Sequence, residues 1–137
     1  GVPICQVREI VRVGAITFVP NAPAYMEGVI SLRGRVLPVL NLRKRLKLSP
    51  KDLNKASRIV VTETAGKLIG LLVDAVSHVI KVPAELVETA PEEVLEIDAH
   101  FITGVAKLKD GLIILLDLEK LFRRERIEIK DTDGEEE

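Results

Sequence analysis

Short β-branched segments separated by turn residues run through most of this chain. Val2, Ile4, Val7, Ile10 and Val11 make the opening a strand, or a strand entering a bend. Residues 36–40 read as a strand that Pro38 confines to an edge or a bulge. Residues 59–62 and 68–73, joined around Ala65-Gly66, carry a hairpin pattern. Residues 76–82 and 112–116 are two further strands, and the second is apolar without alternation, which predicts burial on both faces. Helix is scarce. Asn41 and Asp117 stand as N-caps before the one- or two-turn helices 42–46 and 118–122. Pro23 and Pro83 each open a single turn, residues 23–26 and 83–86.

The pattern repeats. The stretch GVISLRGRVLPVLNLRKRLKL from Gly28 returns 76 positions later as GVAKLKDGLIILLDLEKLFRR from Gly104. Gly28/Gly104, Val29/Val105, Leu32/Leu108, Leu40/Leu116, Leu42/Leu118 and Lys44/Lys120 are identical pairs; Arg33/Lys109, Val36/Leu112, Asn41/Asp117 and Leu46/Phe122 are conservative ones. A gap-free match of this length marks an internal duplication. Earlier in each copy, Gly70-Leu71-Leu72-Val73 takes the place of Gly1-Val2-Pro3-Ile4. The second copy also has a strand and turn over residues 58–67, to which nothing ahead of Gly1 corresponds, so a missing N-terminal strand is expected. Many short strands in duplicate, with little helix, predict an all-β fold of two small barrels packed together. The copies divide at about 1–57 and 58–126 within one domain, with strand exchange between them left open. Residues 127–137 form a tail whose last seven, DTDGEEE, lack apolar side chains, and disorder is expected there.

Composition narrows the function. With 47% hydrophobic residues in 137, the chain can bury one modest core or two small ones. A net charge of −1 gives no general attraction to nucleic acid or acidic membranes. No apolar run is long enough for a membrane span. The single cysteine, Cys5, excludes an internal disulfide, fits a reducing compartment, and reads as a small core side chain. No catalytic constellation emerges. His78 and His100 lack partners at metal-ligand spacing, and His78 reads as a partly buried or solvent-facing strand residue. Glu92-Glu93 lies in a polar loop, where solvation explains it. No enzyme, metal site or cofactor is therefore expected.

A basic cluster remains: Arg33, Arg35, Arg43, Lys44, Arg45 and Lys47. It is a solvated face, a protein-docking surface, or a nucleic-acid surface. The last usually needs interleaved aromatics, and only Tyr25 is nearby. Arg33, between Leu32 and Gly34, is expected to be held close to the barrel, where a guanidinium can make directional pairs with a partner carboxylate. Gly28 and Gly34 are expected in positive-φ conformations or at a close backbone approach.

The run from Gly28 through Ser31-Leu32-Arg33-Gly34 and Pro38-Val39-Leu40-Asn41-Leu42-Arg43 resembles the pattern GVxNLRGxxxPVxDLR of the CheW-like family, the adaptors of bacterial chemotaxis. Ser31 and Asn41 replace its asparagine and aspartate. The resemblance extends from Gly1-Val2-Pro3-Ile4 to about Phe122. It implies two SH3-like five-stranded β-barrels without catalytic activity, bridging chemoreceptor tips and the histidine kinase CheA, in cytoplasmic arrays beneath the inner membrane and without membrane insertion. It places Val7, Glu9, Gly28, Arg33 and Gly34 on the receptor-binding surface. An apolar groove near a barrel end, with Arg33 and Glu9 at its rim, is the expected docking feature. The regulatory domain of CheA and the coupling part of CheV share the fold and are alternatives; a small nucleic-acid-binding barrel is the alternative of another class.

Overall fold

A computed structural model describes residues 1–49, 51–89, 101–109 and 111–122. Its strands are β1 (Val7–Arg12), β2 (Met26–Leu32), β3 (Arg35–Asn41), β4 (Arg58–Thr64), β5 (Lys67–Val73), β6 (Val87–Glu88), β7 (Ile102–Leu108) and β8 (Gly111–Leu116). Two short helices, α1 (Leu42–Arg45) and α2 (Leu118–Phe122), follow β3 and β8. The fold is all-β, in two sheets.

The first sheet has the order β1-β4-β5-β3-β2. Beyond β1 the chain bends back until Thr17 bridges Val29 on the outer edge of β2. That bridge closes the sheet into a barrel, because β1 and β2 are its two edges. Ile30, Leu37, Val39, Ile59, Val61 and Leu72 fill the interior. The second sheet is β6-β7-β8. Gly1 lies alongside β8, its ammonium donating to Ile114 O at 2.6 Å and its carbonyl accepting from Leu116 N at 2.9 Å.

The duplication is legible bond by bond. β2 pairs with β3 as Met26↔Leu40, with a bulge between Met26 and Gly28; β7 pairs with β8 as Ile102↔Leu116, with a bulge between Ile102 and Gly104. Asn41 Oδ1 accepts from Lys44 N at 3.1 Å, and Asp117 Oδ1 from Lys120 N at 3.2 Å, so both predicted N-caps are made. Asn41 N donates to Tyr25 O and Asp117 N to Phe101 O. Gly70 stands opposite Val39 on β3, as Gly1 stands opposite Leu115 on β8. The larger core cluster joins the copies through their counterpart residues: Leu40 and Leu116, Leu46 and Phe122, Tyr25 and Phe101, Leu42 and Leu118 all belong to it or pack against it.

Several expectations need correction. Residues 76–82 form no strand, and Val76, Val79 and Ile80 are exposed. β propensity makes a strand only beside a partner, and none pairs with this segment among the described residues. Leu112, expected to be buried, is 67% exposed because it stands at the protruding end of the β7–β8 hairpin; only Leu116 of that run is buried. Cys5 is exposed rather than in the core, since Ile4–Gln6 forms a single 3-10 turn that swings it outward. Pro23 and Pro83 behave as predicted: Met26 N donates to Pro23 O, and Ala84–Leu86 is one 3-10 turn. Pro38 does not put β3 at an edge, because β3 lies between β5 and β2. Its pairing with β5 begins only at Val39, so the ladder needs no donor from Pro38 on that side, and the nearby bulge is in β2. His78 is exposed. His100, the Glu92-Glu93 loop and the tail lie outside the described residues.

Candidate functional site: a charged hairpin tip and an apolar groove

The turn between β2 and β3 is built from two left-handed residues, Arg33 with φ 51° and Gly34 with φ 79°. This two-residue geometry matches the right-handed twist of the flanking strands, and glycine takes it without steric cost. Arg33 does not; an L-residue there costs roughly 1 kcal/mol. Ala65 (φ 53°) and Gly66 (φ 77°) make the same turn between β4 and β5.

From the tip, Arg33 Nη1 forms an ion pair with Glu9 Oε2. The Arg33 side chain is 72% exposed and that of Glu9 25%. A pair so open to water adds little stability. Its effect is positional: it tethers the tip of the β2–β3 hairpin to β1 and holds the guanidinium at the barrel rim. The structure thus brings Glu9, Arg33 and Gly34 together. Val7 and Glu9 both belong to the half-buried alternation of β1, with Val7 packed against the core that joins the copies. Gly28 stands apart from the tip, at the β2 bulge, with φ 153°. A Cβ there would collide with the Thr17 carbonyl, so Gly28 lets the barrel close at this point.

The groove lies elsewhere. Parallel pairing between β3 and β5 covers only Val39–Asn41 against Gly70–Leu72, and toward their starts the two strands part. Between them opens a cavity of about 870 Å³, walled by Tyr25, Val36, Leu37, Leu68, Ile69 and Phe122 among others, with the charged residues Arg35, Lys67 and Glu119 also lining it. Neither Arg33 nor Glu9 lines it, which corrects the expectation that they form its rim. Hairpin geometry explains the change: the tip points past the end of the barrel, so the next basic residue, Arg35, turns toward the groove.

The basic cluster is mostly engaged within the chain. Arg43 Nε donates to both carboxylate oxygens of Asp74, at 3.0 and 2.9 Å, and these bonds hold the Asp74 carboxyl below the usual carboxylate range. Lys44 Nζ lies 2.8 Å from Glu27 Oε1 and lowers that carboxyl in the same way. Arg45, expected on an exposed basic face, is buried, with Nε 2.8 Å from Leu121 O. Arg43, Lys44 and Arg45, half of the six basic side chains, are thus held by partners in the chain, whereas Arg33, though paired to Glu9, keeps a largely exposed guanidinium. A phosphate-binding face needs them free.

Sequence reading missed Arg45 and its aromatic neighbours. The signal was present, since 45 and 121 are counterparts in the duplication and carry arginine and leucine. Among the described residues no group of three His, Cys, Asp or Glu side chains is placed to hold a metal ion, and no helix is long and apolar enough to cross a membrane.

Comparison with known proteins agrees with this architecture. The crystal structure of the scaffolding protein TtCheW from Thermoanaerobacter tengcongensis superposes with a TM-score of 0.84 at 40% identity, over 90% of this chain and 80% of that one. A probable chemotaxis protein CheW of Rhizobium etli is 40% identical over 121 residues, 88% of this chain and 78% of its own length. The chemotaxis protein CheW of Treponema pallidum is 33% identical over 93% of this chain and 78% of its own length. The family model of the CheW-like domain matches residues 1–126. With its two SH3-like barrels and its duplicated Gly-Val hairpins, this chain belongs to the CheW-like domain family.

Proposed function

We propose that the chain is a non-catalytic chemotaxis adaptor that couples the cytoplasmic tips of chemoreceptors to the histidine kinase CheA. The observation that carries this reading is the Arg33–Glu9 pair at the β2–β3 tip. An exposed guanidinium on a two-residue turn, tethered to the neighbouring strand, is a poor stabilising device and a good directional one. It presents donors to a partner carboxylate with little freedom left to lose on binding. Val7, Glu9 and Gly34 complete the receptor-facing surface, while Gly28 supports it through barrel closure. Such an adaptor works in the cytoplasm, at receptor arrays beneath the inner membrane.

The test is a pair of binding assays, one with a receptor cytoplasmic fragment and one with the CheA regulatory domain. Arg33→Ala is expected to weaken receptor binding by roughly tenfold, to leave kinase binding within roughly twofold, and to keep the far-UV circular dichroism of the parent. Unchanged receptor binding by the folded variant removes Arg33 from the interface. Binding to neither partner by the folded parent removes the adaptor reading itself.

A further inference from the structure

The contact between the two copies is nearly twofold in its residues, and position 45 breaks the equivalence. Leu40 faces the same cluster as Leu116, Leu42 as Leu118, and Leu46 as Phe122. At the next pair the first copy has Arg45, 7% exposed, and the second has Leu121, fully buried. The Arg45 guanidinium carbon stands 4.3 Å from the centre of the Tyr25 ring and 4.6 Å from that of Phe101. Those rings are themselves counterparts, one from each copy. Arg45 Nε donates to Leu121 O at 2.8 Å, and Nη2 reaches Lys120 O at 3.5 Å. Both carbonyls belong to the last turn of α2, where a helix leaves its acceptors without partners of its own. One side chain of the first copy therefore closes a helix end of the second and stacks on an aromatic ring from each.

A leucine here would have sufficed for burial, as Leu121 shows. Contacts between aliphatic side chains resist separation but define rotation poorly. A planar cation with fixed donors and two rings over which it must lie defines both rotation and register. Buried ionic groups are frequently no more stabilising than apolar replacements, so their presence calls for a role other than stability. We propose that Arg45 is a positioning residue that locks the mutual orientation of the two barrels, acting through Tyr25, Phe101 and the C-terminal end of α2. This role goes beyond the adaptor reading and stands without it.

The experiment uses isotopically labelled full chain, with residual dipolar couplings measured for amides of β4–β5 and of β7–β8, together with amide exchange. In the parent one alignment tensor fits both sheets. Arg45→Leu, which places the counterpart residue at this position, is expected to stay folded but to require two tensors. Exchange at Leu121 should quicken by roughly tenfold while that at Val61 stays within roughly twofold. Arg45→Lys, which keeps the charge and loses the planar fork, is expected to behave like Arg45→Leu. Tyr25→Phe removes only a buried hydroxyl that has no hydrogen-bond partner among the described residues, keeps the ring, and should still fit one tensor. One tensor for Arg45→Leu, two for the parent, or an equal rise in exchange throughout the chain would each overturn the proposal. If neither Arg45 variant folds, Arg45 is a requirement of the fold rather than of orientation, and the proposal also fails.

Discussion

Gly28 and Gly104 occupy equivalent bulges, yet their surroundings differ enough to separate them experimentally. Gly28 combines φ 153° with a Thr17 carbonyl standing where a side chain would begin. Gly104 has the Glu88 carbonyl and Val87 Cγ1 at 3.0 Å from an ideal Cβ, and its backbone is not in the left-handed region. Gly28→Ala must therefore strain the backbone and displace the Thr17–Val29 bridge, a cost of about 3 kcal/mol. Gly104→Ala needs the neighbour to give by a few tenths of an ångström and should cost roughly half as much or less. Denaturant midpoints of the two variants test the order, and equal losses would refute the role given to Thr17. A glycine at position 28 was legible as a special backbone position, but nothing in the sequence places Thr17 against it. Cys5 and Arg45 went wrong for a related reason. Residue type suggested core for one and surface for the other, whereas a single 3-10 turn and an inter-copy contact reversed both.

Elements whose formation rests on neighbouring residues were readable; those that depend on a distant partner were not. Both N-caps, both short helices and the Ala65-Gly66 turn carry their own chemistry, and each is present. Residues 76–82 have the composition of a strand and lie exposed without one, because a ladder needs a second chain segment that composition cannot supply. The junction of β3 with α1 is a local element of the first kind, and it titrates. Asn41 caps the helix through Oδ1 while its Nδ2 donates to Glu27 Oε1 at 3.0 Å, and Lys44 reaches the same oxygen. The Glu27 carboxyl is lowered chiefly by its hydrogen bond from Lys44, against a desolvation effect of opposite sign. Because its folded value lies below its unfolded one, the contribution is full above the ordinary glutamate value of 4.5 and is lost as pH falls through the folded value. Glu27→Gln should therefore be less stable than the parent at about pH 7, with the gap closing as pH falls below 4.5. Denaturant midpoints across that range measure it; a gap independent of pH would show that the carboxylate charge contributes nothing to the junction.

At the scale of the molecule, the duplication visible in the sequence is not a division into two folding units. The first barrel takes β1, β2 and β3 from the first copy and β4 and β5 from the second. β5 runs parallel to β3, in contact with it through Val39, Leu40 and Asn41. The opening residue of the first copy, in turn, hydrogen-bonds to β8 of the second. Each copy therefore holds strands whose partners lie in the other. Reading the repeat from sequence gives the copies but not their interchange, since hydrophobic pattern does not say which of two similar partners a strand will choose. The consequence can be tested by cutting the chain between Ser57 and Arg58, where the connection from α1 enters β4. A fragment of residues 1–57 keeps the β2–β3 hairpin but loses both strands that pack Ile59, Val61 and Leu72 against Val39 and Leu37. It should show no cooperative unfolding transition, and neither should the fragment of residues 58–137. Mixed in equal amounts, the two should recover the circular dichroism and a cooperative transition close to those of the intact chain, at lower stability because association now costs translational entropy. Cooperative folding of residues 1–57 alone would show that β1, β2 and β3 can close without β4 and β5, and would refute an exchanged architecture as the reason the two barrels hold together.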